Sequence, residues 1–307
     1  MLSVIIPSYN SELTIEKCLD SILSQSFSGD YEIILVDSSN DNTPQIVSAA
    51  YDRVKLFHLE EKTDPGRARN IGIKNAGGSV IAFIDSDCVA ARDWLERIWN
   101  GHKSFYNVIG GSVMNGNDED NLVAWAGYIS EFREFAPEQP KREVTHIPTC
   151  NISYKKAIFE QYGMFQGAYY PQEDLLFNYN LSLQGEKILF DPAIQVHHHH
   201  RTKIGDFLTH QEKIGKITAQ VLKEIELEGS FIPRHPVLSV FLLPFLPLVK
   251  FVRTVRVFLL LQSGIILKRP LVLTVFMIGL FYWTAGFARG LYAPSGSRTS
   301  RVTNDAK

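Results

Sequence analysis

The sequence predicts an α/β protein: a mostly parallel central sheet flanked by helices, with apolar, membrane-associated helices added at the C-terminus. Three observations predict it. Short β-branched runs alternate with amphipathic helical repeats over the first hundred residues. Acidic residues stand at the ends of two of those runs. The composition also changes sharply after residue 235.

The elements follow in order. Val4 to Ile6 reads as a buried strand stopped by Pro7. Ile15, Cys18, Leu19, Ile22 and Leu23 recur at helical spacing, which predicts an amphipathic helix over 12–25. Glu32 to Val36 is a second buried strand, closed by Asp37 and a polar loop to Thr43. Pro44 to Ala50 begins a helix, and Val54 to His58 is a strand. A helix from about Arg67 to Asn75 leads to the strand Val80 to Ile84. Ligands of such sheets bind beyond the C-terminal ends of the strands, where Asp37 and Asp85 fall. From Asn107 to Phe190 the pattern is less regular. Strands are expected at Val108 to Val113 and Ile152 to Tyr154, helices at Leu122 to Phe135 and Glu173 to Gln184.

The chain has 307 residues, enough for one large core or a core with an appendage. Hydrophobic residues at 45% and charged residues at 21% exclude a disordered chain. The net charge of −2 is unevenly spread. From Pro236 onward there are nine Lys/Arg and one acidic residue, Asp305, so the tail carries +8 and the first 235 residues carry −10. An acidic body argues against nucleic acid as a partner, and a basic apolar tail suits an anionic membrane surface. Three uncharged stretches make up the tail, 236–249, 257–267 and 271–288, and basic residues punctuate them. The last, at 18 residues, reaches the lower limit for a membrane span. Cys18, Cys88 and Cys150 lack metal-ligand spacing and suit a reducing compartment, and the N-terminus lacks the pattern of a signal peptide. The body is therefore expected on the cytoplasmic side. The expected domains are 1–215 for the catalytic body, 216–235 for a connecting helix or linker, and 236–307 for the tail.

Asp85-Ser86-Asp87 is the sharpest local feature. Two carboxylates two positions apart at the end of a buried strand can converge on one divalent cation, which would bridge the phosphates of a nucleotide diphosphate. The alternative is a turn in which Asp85 caps the helix near Arg92 to Asn100. Arg67 and Arg69 read either as positive charge for an anion or as solvated helix arginines. Glu173 and Asp174 read either as site carboxylates or as complements to a helix N-terminus. The four histidines His197 to His200 cannot all bind one metal, because neighbours in a strand point to opposite faces.

Taken together, Ser3 to Asn10, the strand ending Val36-Asp37, Gly66-Arg67-Ala68-Arg69-Asn70-x-Gly72, Asp85-Ser86-Asp87, Gly163-Met164-Phe165, Gln172-Glu173-Asp174 and the stretch Gly185 to His198 resemble the family 2 glycosyltransferases of the GT-A fold. The resemblance covers roughly residues 2–215. It implies a Rossmann-like sheet and an inverting transfer of sugar from a UDP-, GDP- or dTDP-sugar to a lipid-linked or glycan acceptor. It places Pro7 and Tyr9 beside the base, with Asp37 accepting hydrogen bonds from it. Arg67, Arg69, Asn70 and Asp85 would serve the nucleotide sugar, and Asp85, Asp87 and His198 would hold Mg²⁺ or Mn²⁺. Asp174 matches the general base, with Glu173 in reserve. Ser38 and Ser39 depart from the family's usual Asp-Asp-Gly-Ser form. Gln211-Glu212-Lys213-Ile214-Gly215 is not the Gln-x-x-Arg-Trp of processive synthases, and few long apolar segments are present. Transfer of one sugar, or few, is therefore expected. A nucleotide-binding scaffold on this fold is the non-enzymatic alternative.

Overall fold

The computed structural model describes residues 1–293; positions 294–307 of the expected tail lie outside the described residues. Nine strands form one sheet: β1 Leu2–Ser8, β2 Tyr31–Asp37, β3 Val54–His58, β4 Val80–Phe83, β5 Cys88–Ala90, β6 Val108–Asn115, β7 Arg142–Val144, β8 Ile152–Lys155 and β9 Ile188–His198. The strand order is β3-β2-β1-β4-β8-β6-β9-β5, with β7 also paired to β9.

β1 to β4 are mutually parallel, as the alternating pattern predicts. All seven residues of β1 are buried, because helices cover both faces of the sheet there. β1 runs through Pro7 instead of stopping before it. Its ladder with β4 ends at the pair Ile5–Phe83, so the N–H that Pro7 lacks would have met no partner strand. Beyond β4 the sheet turns mixed, since β8 runs antiparallel to both β4 and β6, and β5 and β7 run antiparallel to β9.

The first crossover helices are α1 Ile15–Leu23, α2 Thr43–Ala50 and α3 Pro65–Asn75. α1 buries Ile15, Cys18, Leu19 and Ile22, one stripe at helical spacing. Asp64 caps α3 by accepting from the Arg67 N–H at 2.8 Å, and Pro65 opens the helix. Next come α4 Trp94–Gly101, α5 Leu122–Glu131, α6 Ala157–Tyr162, α7 Glu173–Leu183 and α8 Ile204–Glu224. The N-cap of α4 is Asp93, so Asp85 is not a helix cap. α8 runs unbroken through residue 215, where the body was expected to end.

The tail comprises α9 Phe231–Arg234, α10 Pro236–Leu242, α11 Leu246–Leu261, α12 Ser263–Lys268 and α13 Val272–Tyr292. A short 3-10 turn joins α10 to α11, so Val237–Leu261 is one kinked helical stretch of 25 residues. It and α13, of 21 residues, are long and apolar enough to cross a membrane. Both pack against the body. α13 lies along α8, and glycines bring the two backbones together: a Cβ on Gly215 would stand 1.9 Å from the Trp283 carbonyl oxygen, and one on Gly286 would stand 1.9 Å from that of Glu212. Phe258 of α11 and Phe276 of α13 are fully buried in the main core. Tyr128 of α5 donates to Gln262 at 3.1 Å.

Candidate active site

A cavity of about 580 Å³ opens at the C-terminal ends of the parallel strands. Pro7, Ser8, Tyr9 and Ser38 form one end, and Asp85, Ser86 and Asp87 form its floor. Glu173 and Asp174, at the start of α7, stand opposite, and α8 and the tail close the far side. The floor is held from two directions. Ser86 shares a 2.7 Å hydrogen bond with Ser11 in the loop after β1, and the Asp87 carbonyl accepts from the His199 N–H at 2.8 Å after β9.

Arg69 is buried and clamps the two sides together. It donates to Asp85 Oδ1 at 2.7 Å and to Glu173 Oε1 at 2.8 Å. The guanidinium expected beside a diphosphate is thus committed to two carboxylates of the protein. Burial opposes charge on Arg69, but Asp85 and Glu173 outweigh it and hold the group firmly protonated. Burial pushes the Glu173 carboxyl up to about 7, against the pull of Arg69. Asp174 is only half-buried. Its Oδ2 accepts from the Thr149 N–H at 3.0 Å and from the Thr149 hydroxyl at 3.3 Å.

Pairing of β5 with β9 sets Cys88 opposite His198. His198 Nε2 lies 3.5 Å from Asp87 Oδ1, and donor atoms of Asp87, Cys88 and His198 all fall within 4.8 Å of one another. The histidine run alternates as strand geometry requires: His197 is exposed, while His198 and His200 are buried. Burial holds His200 well below the usual imidazole range, and its ring packs against Phe132 and His198.

Three expected residues do not reach the cavity. Asp37 is fully buried behind its wall, accepting from Ser39 Oγ at 2.5 Å and bonded to His58 Nδ1 at 2.7 Å. Arg67 is exposed on the outer side of α3. Asn70 exchanges two hydrogen bonds with the Phe165 backbone and so pins the Gly163–Phe165 loop. The cavity also contains residues that sequence reasoning missed: Glu131, His146, Thr149, Arg201, His210 and Lys250. They come from separate helices and loops, with no local motif to mark them. Burial would raise Glu131, but His210 at 3.5 Å, with His200 and Arg201, holds its carboxyl down to about 2.

A Rossmann-like sheet with paired carboxylates at its strand ends and a large cleft above them defines a GT-A α/β protein. The chain belongs to glycosyl transferase family 2, whose family model matches residues 3–163; it is a glycosyltransferase. It is 29% identical over 240 residues to glycosyltransferase AglE of Haloferax volcanii, covering 75% of this chain and 77% of AglE. It is 36% identical over 97 residues to WfgD of Escherichia coli, a UDP-Glc:alpha-D-GlcNAc-diphosphoundecaprenol beta-1,3-glucosyltransferase, covering 31% of this chain and 38% of WfgD. The fold matches that of the mannosyltransferase PcManGT from Pyrobaculum calidifontis in complex with GDP-Man and Mn²⁺. That match has a TM-score of 0.60 and 18% identity, and it covers 95% of this chain and 87% of PcManGT.

Proposed function

We propose that this glycosyltransferase inverts the anomeric centre as it moves one sugar, or few, from a nucleotide-diphosphate sugar to a lipid-linked acceptor at a membrane face. The observation that carries the proposal is the half-buried Asp174 facing Asp85 and Asp87 across one cavity. The donor's nucleotide lies at the Pro7–Tyr9 end, where Lys62 stacks 3.8 Å from the Tyr9 ring centroid. Asp174 takes the proton from the acceptor hydroxyl as it attacks, and Thr149 fixes the orientation of its carboxylate. Glu173, buried and paired with Arg69, holds the clamp while Asp174 acts.

The residues present suit a divalent cation. Asp87 offers a carboxylate, and His198 offers its Nε2 3.5 Å from that carboxylate. When bound, Mg²⁺ or Mn²⁺ supplies positive charge beside the departing diphosphate. Asp85, drawn towards Arg69, stays beside that pair.

The tail supports the membrane reading. Phe241, Phe245 and Leu260 of the Val237–Leu261 stretch are 69%, 62% and 74% exposed, and the exposed Arg256, Lys268 and Arg289 lie in the same tail. The three cysteines are unpaired, which suits a body on the cytoplasmic side. The test is calorimetric titration of the detergent-solubilised chain with UDP, GDP and dTDP, with Mn²⁺ and with chelator. One nucleotide should bind in a metal-dependent way, and Asp87→Ala should weaken it at least about tenfold. A folded protein that binds none of the three would refute a UDP-, GDP- or dTDP-sugar donor.

A further inference from the structure

The cavity has an end that the transfer chemistry leaves unused. Past Asp174 it runs beneath the tail, where Lys250, Leu280 and Trp283 line it. Lys250 projects from α11, and its Nζ lies 3.5 Å from the Trp283 ring centroid. The cations beside it are matched. Arg133 pairs with Glu134 at 3.1 Å and donates to Thr254 Oγ1 at 2.9 Å. Arg253 pairs with Glu228 at 2.6 Å and with Glu134 at 3.4 Å. These contacts pin α11 and turn Lys250 inward. Among the described residues no carboxylate lies within ion-pair distance of Lys250. The indole face attracts the ammonium through its ring quadrupole. The ammonium still lacks the hydrogen-bonded anion that a buried charge requires.

Two facts narrow the anion. The donor's phosphates belong to the strand-end side, with Asp85, Asp87 and His198. Lys250 stands on the opposite side, on α11, whose exposed Leu248 and Val252 follow the exposed Phe241 of α10 and Phe245 of the turn between them. A ligand that reaches Lys250 from that side carries its phosphate on a lipid.

We propose that the Lys250–Trp283 end of the cavity binds the phosphate that joins the acceptor sugar to its lipid, and so presents that sugar to Asp174. This rests on the lipid-linked acceptor read above. The lipid tail leaves along the apolar face of α10 and α11.

The experiment is calorimetry on the detergent-solubilised full chain with farnesyl diphosphate and with farnesol, with and without saturating UDP and Mn²⁺. Farnesyl diphosphate should bind at least about tenfold more tightly than farnesol, and saturating UDP should not displace it. Lys250→Met should weaken farnesyl diphosphate by about tenfold, Lys250→Arg should keep most of the affinity, and UDP affinity and thermal melting should not move. Equal affinity in Lys250→Met and the native chain would overturn the proposal. So would displacement by UDP, which would put the diphosphate in the donor site. Equal competition by phosphatidylglycerol would reduce Lys250 to a general lipid anchor and overturn it too. Should Lys250→Met not fold, Lys250→Gln takes its place in the same comparison. Failure of the native chain to bind UDP, GDP or dTDP would instead refute the donor-site reading; an unmoved Lys250 variant with nucleotide binding intact refutes only this subsite.

Discussion

The two walls of the cavity are built on opposite principles. On the wall formed by the strand ends and the start of α7, the protein's own groups already hold Asp85 and Asp174: Asp85 by Arg69 at 2.7 Å and Asp174 by the Thr149 N–H at 3.0 Å. On the tail wall the helices meet through bare backbone at Gly215 and Gly286, and the inward cation has no carboxylate among the described residues. The sheet wall is organised before any ligand arrives, as a site for charge transfer requires. On the proposals above, the tail wall is finished by what it binds, lipid outside and an anion within.

The contrast can be broken or sharpened by three changes. The largest effect is expected at Asp174. Asp174→Asn keeps the hydrogen-bond shape and removes the base, so turnover should fall about 10²- to 10⁴-fold while nucleotide affinity stays the same. Near-normal turnover would take the chemistry off the sheet wall.

The clamp comes next. Arg69→Met leaves Glu173 buried without its cation and should cost about 3–5 kcal/mol in chemical denaturation near pH 8. The sign with pH follows from Glu173, whose native pKa of about 7 lies above its ordinary 4.5. The native state therefore binds this proton more tightly than the unfolded chain does. Stability from this group is greatest at low pH and declines as pH rises from about 4.5 through about 7. The deficit of Arg69→Met should accordingly shrink at pH 5, where Glu173 takes a proton, and adding Glu173→Gln should recover much of it. The same deficit at both pH values would make the clamp a matter of packing.

The smallest effect probes the tail's outer face. Phe241→Ser, Phe245→Ser and Leu260→Ser together should lower partition onto anionic vesicles at least about tenfold, because the native side chains are exposed and apolar. UDP affinity and melting temperature should hold. Unchanged flotation would turn that face away from lipid. Deleting the tail is a poorer test, since α13 shares a buried cluster with α8: Trp283 and Phe287 pack with Ala219 and Leu222.

The first four strands were legible because short apolar runs, β-branched in β1, β2 and β4, alternate with helical repeats, and a chain of that kind has few ways to close a sheet. β5, β7 and α6 were not, as they are three to six residues long and carry no long apolar run to mark them. Asp85, Asp87, Asp174 and His198 line one cavity because strand ends and a helix start deliver them there. Asp37 and Asn70 sit in motifs of the same kind, yet their side chains are taken up by Ser39, His58 and the Phe165 backbone.

The sequence by itself determined the parallel half of the sheet, the site's position at its strand ends, and the apolar, basic character of the tail. These are local properties, set by periodicity and by which residues follow a strand. Only the tertiary structure decided that Arg69 would join Asp85 to Glu173, which lies 104 residues beyond Arg69, and that the tail would close the cavity with Lys250 turned inward. Such partnerships depend on which surfaces meet after the chain has crossed the sheet, and neighbours along the chain carry no record of that.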